Sequence, residues 1–313
     1  MNSLDVVVLG GAAVDRVAQV NRLPARDSVV LACAQHRFAV GSAANVAVGL
    51  ARLACRAGFI GRVGDDPDGV FLRQAFQEEG VDTRALLVHE GATTVSCFIA
   101  VDGQGERSIV ALPGVSLIET AEGLDLAYVR AARVLYVGPS YPDVAQAAMT
   151  EAHASRSMVF YAPSGAWGPD GLAGISHLIQ QCDVLLVSRT EAEALTGCYH
   201  PEQAVTSLHS LGPRVVVETL GAAGVIMQDE RGHTALPSRT VTRVRDTTGA
   251  GDAFAAGFIA SFLGSFPDHS TVDWAAAARQ GCAAAAVKIG YLGARNGLPT
   301  RETLAHFMGD LTI

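Results

Sequence analysis

Apolar residues along the chain fall into short blocks whose spacing changes character part-way. Near the start, Asp5 to Leu9 reads as a strand that stops at the Gly10-Gly11 turn. Residues 28–40 and 93–112 read as extended segments. In the second, Thr94, Ser96 and Phe98 alternate with Val95, Cys97 and Ile99, and Asp102-Gly103-Gln104-Gly105 supplies a turn. Between them Val46, Leu50 and Leu53 recur at helical spacing, which predicts a helix from about Ala43 to Cys55. From about residue 130 strands and helices alternate, with strands at 133–137, 157–161 and 183–187 and helices at 143–154 and near 171–181. From Ala250 onward helices dominate. This alternation implies a mostly parallel sheet covered by helices on both faces. No internal repeat, low-complexity tract or linker interrupts it. Residues 1–313 are therefore read as one α/β domain, with the early extended segments forming a small accessory sheet.

Composition narrows the function. Hydrophobic residues make up 49% and charged residues 17%, which suits a soluble, well-packed protein. The apolar runs, such as 184–188 and 215–218, are too short to span a bilayer. The chain opens on MNSLDVVVLGG without a basic leader, so a cytoplasmic protein with no membrane partner is expected. A formal net charge of −8 and a single lysine, Lys288, argue against nucleic acid, whose backbone demands a clustered basic surface. The six cysteines show no C-x-x-C spacing, and most lie in apolar surroundings and read as small buried hydrophobes, not a zinc or disulfide framework. His36, His89 and His153 fit no ligand spacing.

The chemistry concentrates in Asp246-Thr247-Thr248-Gly249-Ala250-Gly251-Asp252, a small-residue loop that enters a helix carrying Phe254, Phe258 and Phe262 on one face. Loop N–H groups at a helix N-terminus attract an anion, because unsatisfied donors and the helix dipole both favour negative charge. Glycines at 249 and 251 allow close approach of a phosphate, and Asp252 falls in the first turn beside it. A carboxylate so placed can orient an attacking hydroxyl and take its proton. Taken as a local pattern alone, the same residues equally describe an Asp placed for the helix dipole after a flexible turn.

The stretch resembles the C-terminal signature of the PfkB, or ribokinase-like, family of carbohydrate kinases, D-T-x-G-A-G-D before a small-residue helix. The resemblance implies a ribokinase-like fold, a central mostly parallel sheet with a β-lid drawn from about 12–40 and 93–112. It implies Asp252 as catalytic base and the backbone of Gly249, Ala250 and Gly251 as the anion hole for the transferred phosphoryl group. The reactants implied are ATP with Mg2+ and a sugar or sugar-like alcohol. A nucleoside kinase of the same family and a non-catalytic sugar- or nucleotide-sensing relative are the alternatives.

Other motifs follow in family order. Gly41-Ser42-Ala43-Ala44-Asn45 is similar to the N-terminal G-G-x-x-x-N signature with one glycine missing. It marks Gly41, Ser42 and Asn45 as substrate-binding, and an amide suits sugar hydroxyls because it both donates and accepts. Asp15, after Gly11-Ala12-Ala13-Val14, resembles the family's hydroxyl-binding Asp. A Rossmann loop is excluded there, since G-x-G-x-x-G is absent. Arg107 falls on the expected lid strands, where it is either a substrate-binding candidate for an anionic or hydroxyl group or a solvated surface arginine. Asp66-Pro67 reads as a helix start without EF-hand spacing, so calcium is not expected.

Ser188-Arg189-Thr190-Glu191 resembles the family's N-x-x-E with Ser for Asn. The resemblance implies Ser188 near the nucleotide and Glu191 near Mg2+, through water. S-x-x-E is also a capping box, which needs no catalytic meaning. Thr219, Gly221 and Gly224 match the T-L-G-x-x-G nucleotide element, and Gln280 falls on the helix expected to line the adenine pocket. Asp246 and Thr248 resemble the monovalent-cation site of some members, making K+ a candidate cofactor. Pairing of lids implies a candidate homodimer. Val115-Ser116 in place of the ribokinases' Ala-Asn, and no glutamate near Tyr136 to Ser140, leave ribose, ketohexoses, sugar acids and nucleosides all open as substrates.

Overall fold

The computed structural model describes residues 4–165, 168–241, 243–265 and 272–309. In chain order, β1 (Leu4–Leu9) leads to β2 (Ala13–Val20) and β3 (Ala32–Val40). These are followed by α1 (Ser42–Arg52), β4 (Ala57–Gly64), α2 (Pro67–Glu78) and β5 (Leu86–His89). The second hairpin is β6 (Ser96–Val101) and β7 (Arg107–Leu112), followed by α3 (Leu126–Arg130), β8 (Ala132–Val137), α4 (Pro142–Ala154), β9 (Met158–Tyr161) and α5 (Leu172–Ile179). Then come β10 (Val184–Ser188), α6 (Arg189–Thr196), α7 (Pro201–His209), β11 (Val215–Thr219), β12 (Val225–Asp229) and β13 (Gly232–Leu236). Three helices end the chain: α8 (Ala250–Gly264), α9 (Trp274–Lys288) and α10 (Arg301–Gly309).

The main sheet has nine strands in the order β13-β12-β11-β10-β9-β8-β1-β4-β5, parallel except where β12 and β13 return antiparallel. Its inner strands are apolar without alternation because helices cover both faces. On one face Val6, Val8, Val134 and Phe160 pack under α1, α8 and α9; on the other Val7, Leu9, Leu135 and Val159 pack under α4, α5 and α7. The helix expected at Asp66-Pro67 starts there: Asp66 caps α2 by accepting from the Gly69 amide at 2.8 Å, and Pro67 takes the first position. Among the described residues no helix is long and apolar enough to cross a membrane.

The accessory sheet is a separate four-stranded layer in the order β3-β2-β6-β7. Its outer strand β7 is exposed along its whole length. The expected extended segment at 28–40 is a strand only from Ala32, because β2 ends at Val20 and leaves residues 28–31 nothing to pair with. The lid is tied to the body through α2, where Arg16 and Arg37 both donate to the buried carboxylate of Asp68.

Candidate active site

The strands of the main sheet end along one edge, and α8 points its N-terminus at that edge. Gly249 caps α8 in the left-handed region at φ 81°, and a Cβ there would lie 2.6 Å from the Ala294 carbonyl oxygen. Only glycine makes this turn without strain. Ala250, Gly251 and Asp252 are then the first three helical residues. Asp252 is held from the neighbouring helix α1: Ser42 Oγ donates to Oδ1 at 2.7 Å and Asn45 Nδ2 donates to Oδ2 at 2.8 Å. Gly41, at φ 114°, starts α1 with a Cβ-free approach to the Gly11 carbonyl, where a Cβ would stand at 2.6 Å.

Behind this pair lies a residue that the sequence reading did not single out. Arg295 is 9% exposed, and its Nε donates to Asn45 Oδ1 at 2.9 Å. Its guanidinium also lies over the Phe76 ring, 5.3 Å from the centroid. Because Arg295 takes the amide oxygen, the amide nitrogen of Asn45 must face Asp252. The sole sequence signal was an arginine inside a small-residue segment after α9, too common a pattern to single out.

Burial pushes the Asp252 carboxyl above its usual range; the hydrogen bonds from Ser42 and Asn45 and the charges of Arg295 and Lys288 oppose that rise. Burial likewise draws the Arg295 guanidinium down to about 10. Lys288 is fully buried at the end of α9, and burial lowers its ammonium while Asp246 and Asp252 counteract. Tyr136, buried on β8, has its phenol pushed up by burial and by the charges of Asp252 and Glu191.

A cavity of about 460 Å³ opens on the other side of the Gly249–Gly251 loop, lined among others by Thr219, Gly221, Gly224, Phe254, Cys282 and Ile289. Thr247, Ala250 and Gly251 form its wall toward Asp252. Gln280, expected here, is placed differently. Its side chain donates to the Gly257 carbonyl of α8 at 3.1 Å and ties the two helices, while Cys282, Ala285 and Ala286 of α9 line the cavity. Two positions along the helix decide this, since 280 and 282 lie about 200° apart around α9. Ser188 is likewise outside the cavity lining. It forms a capping box at the start of α6, with Ser188 N and Oγ both donating to Glu191 Oε2 at 2.7 Å.

On the lid, Asp15 of β2 is paired with Cys97 of β6 on one side and Phe38 of β3 on the other. Burial raises its carboxyl, opposed by Cys97 and by the charge of Arg107, which is exposed on β7. A Cβ added at Gly293 would lie 3.9 Å from the Phe38 ring, so β3 of the lid comes close to the segment that follows α9.

The expected monovalent-cation residues are drawn into hydrogen bonds within the protein. Asp246 Oδ1 accepts from Thr248 N at 2.9 Å, Oδ2 accepts from Gly293 N at 2.8 Å, and the Asp246 carbonyl accepts from Lys288 Nζ at 2.8 Å. Against burial, these bonds and the Lys288 charge hold the Asp246 carboxyl below its usual range.

The pfkB family carbohydrate kinase model matches residues 3–301 of the chain. Among characterised proteins the chain is 31% identical over 296 residues to the ATP-dependent ribose-1-phosphate kinase of Halopiger xanaduensis, covering 95% of each. It is 32% identical to the aminoimidazole riboside kinase of Salmonella typhimurium over 325 residues, covering 98% of this chain and 96% of that one. Among solved structures it matches a PfkB protein from Polaromonas with a TM-score of 0.82 at 27% identity, over 97% of this chain and 99% of that one. It shares its fold with the ribokinase of Thermotoga maritima, with a TM-score of 0.86 at 24% identity, covering 98% and 99%.

Proposed function

Since the chain belongs to the pfkB family of carbohydrate kinases, we propose that it transfers the γ-phosphoryl group of ATP to a hydroxyl of a sugar or sugar-like substrate, with Asp252 as the base. The observation that carries this reading is the position of the Gly249–Gly251 loop: one side walls the 460 Å³ cavity, and the next residue is a carboxylate aimed between Ser42 and Asn45. ATP lies in the cavity with its terminal phosphate on the α8 N-terminus, whose first-turn N–H groups lack intrahelical partners, the Ala250 amide meanwhile donating to the Thr247 carbonyl at 3.0 Å. The acceptor lies between Asp252 and the lid, its hydroxyls bound by Asp15 and, at the anionic or polar end, by Arg107.

Asp252 takes the proton of the attacking hydroxyl as the bond to phosphorus forms, and the loop amides at 249–251 receive the charge that gathers on the phosphoryl oxygens. Ser42 and Asn45 keep the carboxylate aimed. Burial raises its basicity toward the range useful for a general base. Mg2+ bound with ATP would neutralise the phosphates, and Glu191, whose charge is felt at Tyr136 together with that of Asp252, is the carboxylate we assign to hold it through water. Closure of the lid excludes water, which competes as acceptor. The exposed apolar residues of the lid, Phe98, Ile109, Val110 and Leu112, support a homodimer paired lid to lid. The same reading places the enzyme in the cytoplasm, where ATP is.

The test is ADP release with ATP–Mg across pentoses, ribose 1-phosphate, ketohexoses, sugar acids and nucleosides. Turnover on one class, with the phosphorylated product identified, is expected. Nucleotide binding without turnover on any acceptor would instead favour the sensing relative.

A further inference from the structure

The chain has one lysine, and the fold buries it completely beside the phosphoryl-transfer loop. Lys288 Nζ donates to the Asp246 carbonyl at 2.8 Å. Asp246 opens the loop that runs through Gly249 to Asp252, and the turn that follows Lys288 is stitched to the same loop. Ile289 O accepts from Arg245 N at 2.8 Å and from Asp246 N at 3.2 Å, and Gly293 N donates to Asp246 Oδ2. A buried ammonium needs both a hydrogen-bond acceptor and compensating negative charge. It finds the acceptor in the Asp246 carbonyl and the charge in Asp246 and Asp252.

We propose that Lys288 is a tethered cation that takes the place of a free monovalent ion beneath the anion loop, so that this enzyme works without K+. Two observations carry it. The backbone carbonyl of Asp246 that an alkali ion would need is taken by the ammonium, while each carboxylate oxygen also accepts from a backbone N–H group. The position also already holds a unit positive charge that water cannot screen, and a second cation beside it would be repelled. Held by its own side chain, the charge needs no ion to be captured from solution and does not vary with salt composition. Lys288 is thus a positioning residue: it fixes the Asp246 turn and supplies a constant positive field under the Gly249–Gly251 loop.

This inference rests on the kinase reading for its catalytic consequence, but its ion-binding half is measurable without any substrate. Wild-type melting temperature and turnover are compared in KCl, NH4Cl and tetramethylammonium chloride at equal ionic strength, and thallium(I) binding is measured directly. Melting and turnover that do not distinguish the salts, with no thallium(I) bound, are expected. Lys288→Ala opens the space of the ammonium and should lose about 10²-fold in turnover in tetramethylammonium, the usual cost of removing one preorganised electrostatic group. It should recover much of that in NH4+ or K+ and gain a K+-dependent rise in melting temperature. Lys288→Met, which fills the space with an apolar chain, should lose the same activity and recover none of it. K+ stimulation of the wild type, or a Lys288→Ala enzyme as fast as wild type without K+ or NH4+, overturns the proposal. If neither variant folds, the wild-type salt comparison and thallium titration decide it alone. If no acceptor is found, melting and thallium binding still answer the question about Lys288.

Discussion

Two carboxyl groups near the same edge of the main sheet are both raised by burial, and they could hardly be served more differently. Asp252, at the start of α8, accepts from Ser42 and Asn45 and feels Arg295 and Lys288. Glu218, the penultimate residue of β11, is 1% exposed, its Oε2 has no hydrogen-bond partner, and burial pushes it up to about 7 with Glu193 adding and Arg189 opposing. One carboxyl is met by donors and positive charges that favour its ionised form and aim it; the other lacks such partners. A raised carboxyl by itself therefore does not mark the chemistry. Donors converging on the carboxylate, and a cavity on the other side of its loop, do.

The sharpest break of that contrast is Asp252→Asn. We expect turnover to fall by about 10³-fold or more, within the range for loss of a general base, with melting temperature and ATP binding close to wild type. Near wild-type turnover would remove Asp252 as the base. Its carboxylate must be ionised to act, so wild-type kcat/KM should fall as pH drops through a value above the ordinary 3.8 of an aspartate.

Arg295→Met tests the support behind Asp252. Losing the donor to Asn45 Oδ1 frees the amide to turn, and losing the charge raises the Asp252 pKa further. Turnover should fall by about 10- to 100-fold, comparable to loss of one positioning contact, and the acid limb of kcat/KM should move to higher pH. Arg295→Lys should restore part of both. An unshifted pH profile with reduced stability would make Arg295 a packing residue only.

Glu218→Gln acts on stability and leaves turnover alone. The folded-state pKa lies above the ordinary 4.5, so the stability of neutral Glu218 is complete below about 4.5 and is lost as pH rises through about 7. The glutamine stays neutral throughout. It should be more stable than wild type at pH 8 by about 2–3 kcal/mol and indistinguishable near pH 4, as read by urea melts at both pH values. Equal stability at pH 8 would mean that Glu218 is already relieved by water or a neighbour.

The smallest effect is expected at Gln280. Gln280→Ala should cost about 1 kcal/mol of stability through the lost bond to Gly257 and leave the KM for ATP unchanged. A severalfold rise in that KM would return Gln280 to the nucleotide site.

Much of this was legible along the chain where cause and effect are local. The period of apolar residues placed β8 to β10 and their helices within a residue or two. Asp246 to Asp252 announced an anion loop because a helix start, its glycines and its first-turn carboxylate are neighbours in sequence. The capping box at Ser188 and Glu191 could be read for the same reason. The lid strands were located less well, since where β3 begins is set by where its partner β2 ends.

What the sequence by itself determined is therefore the local chemistry: the α/β alternation, the glycine loop, and an acid at the third position of its helix. What only the tertiary structure decided is who meets that acid. Asn45 and Arg295 touch across 250 positions, and the single lysine finds the Asp246 carbonyl across 42. No periodicity records such pairs, because contacts between distant segments are fixed by the packing of α1, α8 and α9 on one sheet and not by the spacing of residues within any of them.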